Sequence, residues 1–292
     1  MIAGALVGAM ALVLLGWGAL STRRMLYPEP RQWAAPDPLP AYTTHALQAR
    51  DGARFDVWRL PVSNPRGRLL IFHGYHANRF QVLGIAAALA ARGYEALLME
   101  LRGHGSRPGP CTFGLREQED AEVVLQWAGK AGPSSIPLGL LGLSMGAAVV
   151  CQVATQHPEA FAVVIDSPYA RFYPVARRAI RRRYHLPSVP WVWVTWWTLQ
   201  LVLGVRLARR DPAALACRLH QPLLAIHGGA DEVVPPALTE ELYARWAGPK
   251  TRWFDPATAH VQAFWRDPHA YADRVARFLD AAVQGRTPAS AV

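Results

Sequence analysis

The sequence predicts an α/β fold in which a mostly parallel sheet is covered by helices on both faces. Apolar strand-like segments alternate with helix-like segments from residue 68 onward, which is typical of parallel strands joined by helices. Upstream, residues 42–49 and 54–60 flank an Asp51-Gly52 pair, which indicates an antiparallel hairpin. At 292 residues, the chain suits one large domain with a small insertion.

The strand-like and helix-like segments follow one another along the chain. Short apolar runs typical of buried strands lie at residues 68–72, 137–143, 163–166, 221–227 and 251–254. Helices are expected at residues 81–92, 117–131, 144–156, 237–246 and 271–283. No internal repeat or long low-complexity segment interrupts the series.

The third observation is the segment Gly142-Leu143-Ser144-Met145-Gly146, which lies between an apolar strand and a small-residue helix. This is the G-x-S-x-G turn in the strand–turn–helix context that exposes a serine hydroxyl above the sheet. A Cβ at Gly142 or Gly146 would collide with the neighbouring strand and helix. The helix that follows directs its N-terminal N–H groups at the same point. Ser144 is therefore the candidate nucleophile.

A nucleophilic serine needs a base, and the base needs an acid that orients it. Asp231 follows a buried strand and a glycine turn, and His260 follows the next short strand and a loop. Because the carboxyl ends of parallel strands meet at one edge of a sheet, both side chains are expected beside Ser144. Asp166 also ends a strand and is the alternative acid. We interpret Ser144, His260 and Asp231 as nucleophile, base and acid.

Acyl transfer also needs two backbone N–H groups that stabilise the oxyanion. Met145 directly follows the serine and is expected to supply one of them. The second is expected from Tyr75, in a loop where Gly74 lets the backbone approach a substrate. His73 and His76 flank this loop, but no nearby carboxylate or cysteine completes a set of metal ligands, so no metal site is predicted.

These motifs, taken in order, resemble the α/β-hydrolase superfamily. Within it they resemble the branch of membrane-anchored α/β-hydrolase-domain proteins and serine-aminopeptidase-like hydrolases. The resemblance extends from Tyr42 to the C-terminus and rests on the segments at residues 73–76, 101–106, 142–146, 166–168 and 227–235. It implies an esterase, lipase, thioesterase or peptidase that uses no cofactor. It also implies that the Arg-Gly-His-Gly-Ser loop is structural, so His104 is given no catalytic role.

Residues 2–20 form an apolar run without a charge, followed by Arg23 and Arg24. As a helix the run spans about 28 Å, close to the ~30 Å hydrocarbon core of a bilayer. A cleaved signal peptide is the alternative, but it would have basic residues before a shorter apolar run. A core helix is disfavoured because the run has no polar face.

The sequence thus divides into a membrane anchor at residues 1–24, a linker at 25–41, a hydrolase domain at 42–285 and a tail at 286–292. Because Arg23 and Arg24 follow the apolar run, the positive-inside rule predicts that the catalytic domain lies in the cytoplasm.

An insertion at residues 169–212 is expected to cap the active site, as the resemblance implies. Its first helix carries a basic face formed by Arg177, Arg178, Arg181, Arg182 and Arg183. A tryptophan-rich apolar run at residues 191–205 follows. Three interpretations remain open: a solvated lid, a lid that rests on an anionic membrane, and a second transmembrane helix, for which the run is short.

The net charge of +10 comes almost entirely from arginine, and much of it lies in the insertion. No stacking sheet or recognition helix accompanies it, so nucleic-acid binding is not predicted. Cys111, Cys151 and Cys217 are odd in number and widely spaced, which argues against a disulfide framework or a zinc site.

We therefore predict a serine hydrolase that cleaves a carboxylic ester of a small acyl or lipid-like substrate through an acyl-enzyme on Ser144. The expected partners are the acyl substrate and membrane lipid, with no cofactor. A thioesterase or a peptidase/amidase of the same fold is the alternative. A non-catalytic binding protein is disfavoured because such proteins usually lack one member of the triad.

Overall fold

The computed structural model describes residues 2–29, 33–131 and 136–285, so the predicted tail lies outside the described residues. Within them, one sheet contains eight strands in the order β1-β2-β4-β3-β5-β6-β7-β8. The strands are β1 (Thr43–Gln48), β2 (Arg54–Leu60), β3 (Gly67–Phe72), β4 (Tyr94–Met99), β5 (Leu138–Leu143), β6 (Ala162–Asp166), β7 (Leu223–Gly228) and β8 (Lys250–Asp255). The predicted hairpin β1–β2 is antiparallel, as is the pair β2–β4, and all other pairs are parallel. The predicted fold class is confirmed.

The described residues form ten α-helices, and the five that were expected to alternate with the strands (α2, α3, α4, α8 and α10) lie close to their predicted positions. The ten are α1 (Ile2–Leu26), α2 (Phe80–Ala90), α3 (Glu117–Lys130), α4 (Met145–Ala154), α5 (Phe172–Tyr184), α6 (Trp193–Leu203), α7 (Pro212–Leu215), α8 (Pro236–Arg245), α9 (Ala263–Arg266) and α10 (Pro268–Val283). α10 begins before its predicted start at residue 271. The reason is that Asp267 caps the helix by accepting the N–H of Ala270 at 2.8 Å, with Pro268 in the first turn.

Two apolar layers form the core, one on each face of the sheet. Every residue of β3 is buried, and successive side chains point to opposite faces. Leu70 and Phe72 pack into the layer beneath α3 and α4, whereas Leu69 and Ile71 pack into the layer beneath α2 and α10. This two-sided burial explains why the parallel strands are continuous apolar runs rather than alternating ones.

The segment between β6 and β7 forms a helical cap, which contains α5, α6 and α7. α6 packs on α5 through Trp196, whose ring lies 5.1 Å from that of Tyr173 and 6.0 Å from that of Phe172. Both Phe172 and Leu199 reach the core layer on the α4 side of the sheet. The cap is thus joined to the core through apolar side chains.

The N-terminal helix α1 is exposed along its first half and packed along its second half. Its last turn joins the domain, since Leu26 is buried in the core and its carbonyl accepts the N–H of Cys111 at 2.7 Å. The helix therefore continues to Leu26, past the anchor boundary predicted at residue 24. Among the described residues, α1 is the one helix long and apolar enough to cross a bilayer.

Candidate active site

Ser144 lies at the sharp turn between β5 and α4. Its backbone has φ +52° and ψ −114°, a left-handed geometry that costs about 1–3 kcal/mol and is found mainly where function requires it. The two flanking glycines make the turn sterically feasible. A Cβ on Gly146 would lie 2.5 Å from the carbonyl oxygen of Phe72, and one on Gly142 would collide with the backbone of Gly146. The close approach predicted for both glycines is therefore present.

The structure brings together the three side chains singled out in the sequence. The Oγ of Ser144 lies 2.9 Å from Nε2 of His260, and Nδ1 of His260 lies 2.6 Å from Oδ2 of Asp231. Asp231 follows β7 and His260 follows β8. The carboxyl ends of neighbouring parallel strands thus deliver the acid and the base to the edge where β5 delivers the serine.

Hydrogen bonding orients the carboxylate of Asp231 and the ring of His260. Oδ1 of Asp231 accepts the N–H groups of Val233 and Val234, each at 2.8 Å, which leaves Oδ2 for His260. Because a carboxylate can only accept, Nδ1 of His260 donates, and Nε2 of the neutral ring accepts the hydroxyl proton of Ser144. This arrangement prepares the serine to lose its proton to His260.

Asp166, the alternative acid, does not contact His260. Its Oδ1 accepts the hydroxyl of Ser167 at 2.9 Å, and the carboxyl also faces the buried hydroxyl of Tyr271. Burial raises the pKa of the Asp166 carboxyl to about 6, since burial disfavours the charged form. The geometry therefore favours Asp231 over Asp166 as the partner of His260.

Ser167 links Asp166 to the histidine loop, a role that the sequence analysis did not predict. Its hydroxyl donates to Asp166 and accepts the N–H of Val261, the residue after His260, at 3.0 Å. Ser167 also has a left-handed backbone, with φ +52°. The sequence analysis considered the carboxylate of Asp166 in the segment Asp166-Ser167-Pro168, but it did not consider the hydroxyl of Ser167.

The two predicted oxyanion donors lie on either side of the serine. Met145 is the first residue of α4, so its N–H has no acceptor within the helix. The N–H of Tyr75 has no acceptor in the part of the chain that the structure describes. A Cβ on the adjacent Gly74 would lie 3.5 Å from Cβ of Ser144, which shows how closely this loop approaches the nucleophile.

Two further side chains hold the Tyr75 loop, and neither was predicted. Oε1 of Gln81 accepts the N–H of Gly74 at 2.7 Å. The hydroxyl of Tyr75 donates to the carbonyl of Met25 at 2.9 Å, so the loop is tied to the last turn of α1. No local sequence pattern signals either contact.

The remaining histidines of this region serve the fold. Nδ1 of His73 donates to the carbonyl of Gly74, and Nε2 accepts the N–H of Leu101. His227 contacts Thr239, and burial lowers the pKa of its imidazole. In the described ranges, no group of three or more His, Cys, Asp or Glu side chains is arranged to hold a metal ion.

Comparison with known proteins agrees with this architecture. The family described as serine aminopeptidase, S33, matches residues 63–198. An uncharacterized protein of Mycobacterium tuberculosis is 30% identical over 288 residues, which cover 95% of this chain and 94% of that protein. A monoacylglycerol lipase of Mycolicibacterium smegmatis is 32% identical over 133 residues, or 42% of this chain and 46% of that protein.

Among solved structures, an esterase of Pyrococcus furiosus superposes with a TM-score of 0.71. The two chains are 24% identical over 87% of this chain and 97% of the esterase, a likeness that shows the fold. The chain therefore belongs to the α/β-hydrolase superfamily, in the family described as serine aminopeptidase, S33, and is a hydrolase of that fold.

Proposed function

We propose that this protein is a serine hydrolase that cleaves carboxylic esters through an acyl-enzyme on Ser144. The observation that carries the proposal is the hydrogen-bonded series from Ser144 to His260 to Asp231, with distances of 2.9 and 2.6 Å. The resemblance to an esterase and to a monoacylglycerol lipase supports an ester of lipid-like character as the substrate.

In the first half of the reaction, Oγ of Ser144 attacks the ester carbonyl carbon while Nε2 of His260 takes the hydroxyl proton. The negative charge that develops on the carbonyl oxygen is stabilised by the N–H groups of Tyr75 and Met145. When the tetrahedral intermediate collapses, the ester C–O bond breaks and His260 returns the proton to the leaving alcohol. Asp231 stabilises the imidazolium throughout.

In the second half, water takes the place of the alcohol. His260 accepts a proton from the water as its oxygen attacks the acyl carbon on Ser144, and the same two N–H groups hold the second oxyanion. Collapse of this intermediate breaks the bond to Oγ, and His260 gives the proton back to Ser144. The products are a carboxylic acid and the unmodified enzyme.

A fluorophosphonate probe and a p-nitrophenyl ester test this proposal directly. We expect the full chain to be labelled and to hydrolyse the ester, and Ser144→Ala to do neither while it remains folded. Ser63→Ala, at an exposed serine outside the site, is the matched control and should behave like the unmodified protein. A folded protein that shows neither labelling nor turnover would instead support a non-catalytic binding role.

Amide cleavage is the second candidate, because the family that matches the chain is described as a serine aminopeptidase. A panel of p-nitrophenyl esters of increasing acyl length, an acyl-CoA, a monoacylglycerol and an aminoacyl-amide separates the possibilities. We expect the monoacylglycerol and the longer esters to give the highest kcat/KM. A preference for the aminoacyl-amide would identify a peptidase, and a preference for the acyl-CoA would identify a thioesterase.

We also propose that α1 anchors the protein in a membrane, with the catalytic domain on the cytoplasmic side of Arg23 and Arg24. Large apolar side chains such as Leu6 and Leu12 are exposed along its first half. Its second half packs on the domain, and cleavage as a signal peptide would remove those contacts. The full chain should resist extraction by salt and carbonate and keep its N-terminal helix in the mature protein. Release by carbonate, or a mature N-terminus after α1, would exclude the anchor.

A further inference from the structure

The cap helix α6 presents an apolar stripe to its surroundings. The stripe consists of side chains spaced four residues apart, which places them on one face of the helix. Its members and exposed fractions are Trp193 (55%), Trp197 (55%) and Leu201 (81%). Val189, which precedes the helix on non-helical backbone, is also exposed (72%). On the opposite face, Thr195 and Leu199 are buried. No charged residue occurs between residues 188 and 205. A helix that is apolar on all sides belongs in a protein core or in a lipid environment.

α6 packs directly against α1. The indole Nε1 of Trp17 donates to Oγ1 of Thr195 at 2.9 Å, and Oγ of Ser21 lies 2.8 Å from the same oxygen. A Cβ on Gly18 would lie 2.6 Å from Oγ1 of Thr198, so the two helices touch where a side chain would not fit. Small residues and interhelical hydrogen bonds of this kind are typical of helix pairs in membranes.

The position of this contact along α1 sets the level of α6 relative to a bilayer. Trp17 and Gly18 lie within the last turn of the apolar run that ends at Leu20, or within roughly 5 Å of its end at 1.5 Å per residue. Arg23 and Arg24 follow one turn later. If α1 spans the bilayer, α6 is therefore held at the boundary between acyl chains and headgroups.

The surroundings of the contact have the composition of a membrane interface. The ring of Trp17 packs edge-on against Tyr184 and Trp191, at centroid distances of 4.9 and 5.4 Å. Arg24 donates to the hydroxyl of Tyr184 at 2.9 Å. Tryptophan, tyrosine and arginine are the residues that concentrate at this depth.

Positive charge lies beside the apolar stripe. A cavity of about 990 Å³ opens on the cap next to the start of the stripe, and its lining includes Arg177, Arg178, Arg181, Arg182 and His185. Arg178 and Arg182 also bond to Glu232, but the surface keeps a clear excess of positive charge. This charge is complementary to a leaflet that contains anionic lipids.

We propose that α6 is an interfacial membrane helix, which lies in the headgroup–acyl boundary of the bilayer that α1 spans, with its apolar stripe in contact with lipid. The proposal rests on the anchor proposed above. It adds a second, separate contact with the membrane, made by the cap of the active site.

The same helix leads towards the nucleophile. Trp196 on its inner face packs on Phe172, Phe172 on Phe113, and Phe113 on Tyr75, with ring centroids 6.0, 4.5 and 5.9 Å apart. Tyr75 belongs to the loop expected to hold the oxyanion. Phe172 and Phe113 are buried in the core, so we infer that α6 and the Tyr75 loop belong to one packed unit, which holds the site beside the bilayer that α6 contacts.

Spin labels test the position of α6 in the full chain. Cys111 and Cys151 are buried and Cys217 is exposed, so a Cys217→Ser background leaves one reactive position at a time. Leu201→Cys reports on the stripe, Leu6→Cys on α1, and Arg277→Cys, exposed on α10, is the aqueous control. In nanodiscs with anionic lipid, the labels at Leu201 and Leu6 should collide with oxygen more than with a water-soluble nickel complex, and Arg277 should do the reverse.

The outcomes separate the two proposals. A label at Leu201 that behaves like the one at Arg277, while Leu6 faces lipid, would overturn the interfacial helix and keep the anchor. A water-exposed Leu6 would instead overturn the anchor. A label at Leu201 protected from both reagents would show that protein, such as a second copy of this chain, covers the stripe.

A charge placed on the stripe tests whether contact between α6 and lipid supports hydrolysis of an ester in the membrane. We expect Leu201→Glu to lower kcat/KM for a long-chain ester embedded in vesicles by roughly tenfold or more, because a charge is costly at this depth. Hydrolysis of soluble p-nitrophenyl acetate should be unchanged, since Leu201 lies outside the catalytic machinery. Arg277→Glu is the matched control. An equal loss on both esters, or no loss on the vesicle-bound ester, would contradict this role of the lipid contact.

Discussion

Replacing Asp231 by Asn alters one functional group, and the structure dictates how the new amide must be oriented. Oδ1 of Asp231 accepts two backbone N–H groups, from Val233 and Val234, while Oδ2 faces Nδ1 of His260 at 2.6 Å. Only the carbonyl oxygen of Asn can accept those two N–H groups, so its NH₂ group must point at His260. Nδ1 of His260 then has to accept a hydrogen bond from this NH₂ group, so Nε2 carries the ring proton. In that tautomer, His260 cannot take the proton of Ser144.

The size of the effect follows from this forced tautomer. In a serine protease, the corresponding Asp→Asn substitution forces the same tautomer and lowers kcat about 10⁴-fold. This loss corresponds to ~5.5 kcal/mol of transition-state stabilisation. We expect a loss of this order in kcat for a soluble p-nitrophenyl ester, with little change in melting temperature because the carboxamide keeps the backbone bonds. Slow residual labelling by a fluorophosphonate should persist.

Asp166→Asn is the control, because its carboxyl is buried nearby without touching His260. Its kcat should change by less than about tenfold. The reasoning fails if Asp231→Asn retains kcat within tenfold of the unmodified enzyme, or if Asp166→Asn is the variant that loses activity. The latter result would transfer the role of the orienting acid to Asp166.

Three further predictions follow from contacts of the described residues. Gly146→Ala should abolish soluble folding or shift the elbow enough to stop probe labelling, because the new Cβ would lie 2.5 Å from the Phe72 carbonyl oxygen; circular dichroism and labelling report the result. Ser167→Ala should cost about 1–3 kcal/mol in urea unfolding and lower kcat more than KM, because the buried N–H of Val261 loses its acceptor next to His260. The pKa of Asp166 is raised from 3.8 to about 6, so its protonated form is favoured on folding and the free energy of unfolding should fall as the pH rises through that range. Asp166→Asn should remove about 3 kcal/mol of this fall between pH values of about 3 and 7.5, measured by urea unfolding at each pH, since one pKa unit corresponds to about 1.4 kcal/mol. If Asp166→Asn leaves the pH dependence of the free energy of unfolding unchanged, this prediction is contradicted.

The parts of the site that the sequence predicted are those encoded by local pattern. The elbow needs Gly142 and Gly146 on either side of Ser144, and only the strand–turn–helix context gives that spacing a meaning. Asp231 and His260 each follow an apolar strand, so parallel topology alone brings them to the edge where Ser144 lies. The bounds of β3, β5, β6, β7 and β8 were predictable for the same reason, whereas β4 and the short helices α7 and α9 were not predicted.

The sequence could not decide between the two acids or find the supporting contacts. Asp166 and Asp231 both end a parallel strand, and the choice depends on how far each loop carries its carboxyl towards His260. Contacts such as that between Trp17 and Thr195 join residues 178 positions apart. No local periodicity encodes such a pair, so the packing of α1 on the cap had to be seen in the structure.

The last turn of α1 and the segment just after it are bonded to the catalytic domain at several points, since the carbonyls of Met25, Leu26 and Glu29 accept from Tyr75, Cys111 and His76. An enzyme on a flexible tether can rotate freely above its membrane and sample substrates from any direction. In the anchored enzyme that we propose, these bonds join the helix to the Tyr75 loop, so the orientation of the catalytic domain would be set when the helix inserts. Such an enzyme searches for substrate in two dimensions, and its turnover should depend on the mole fraction of ester in the membrane rather than on its bulk concentration.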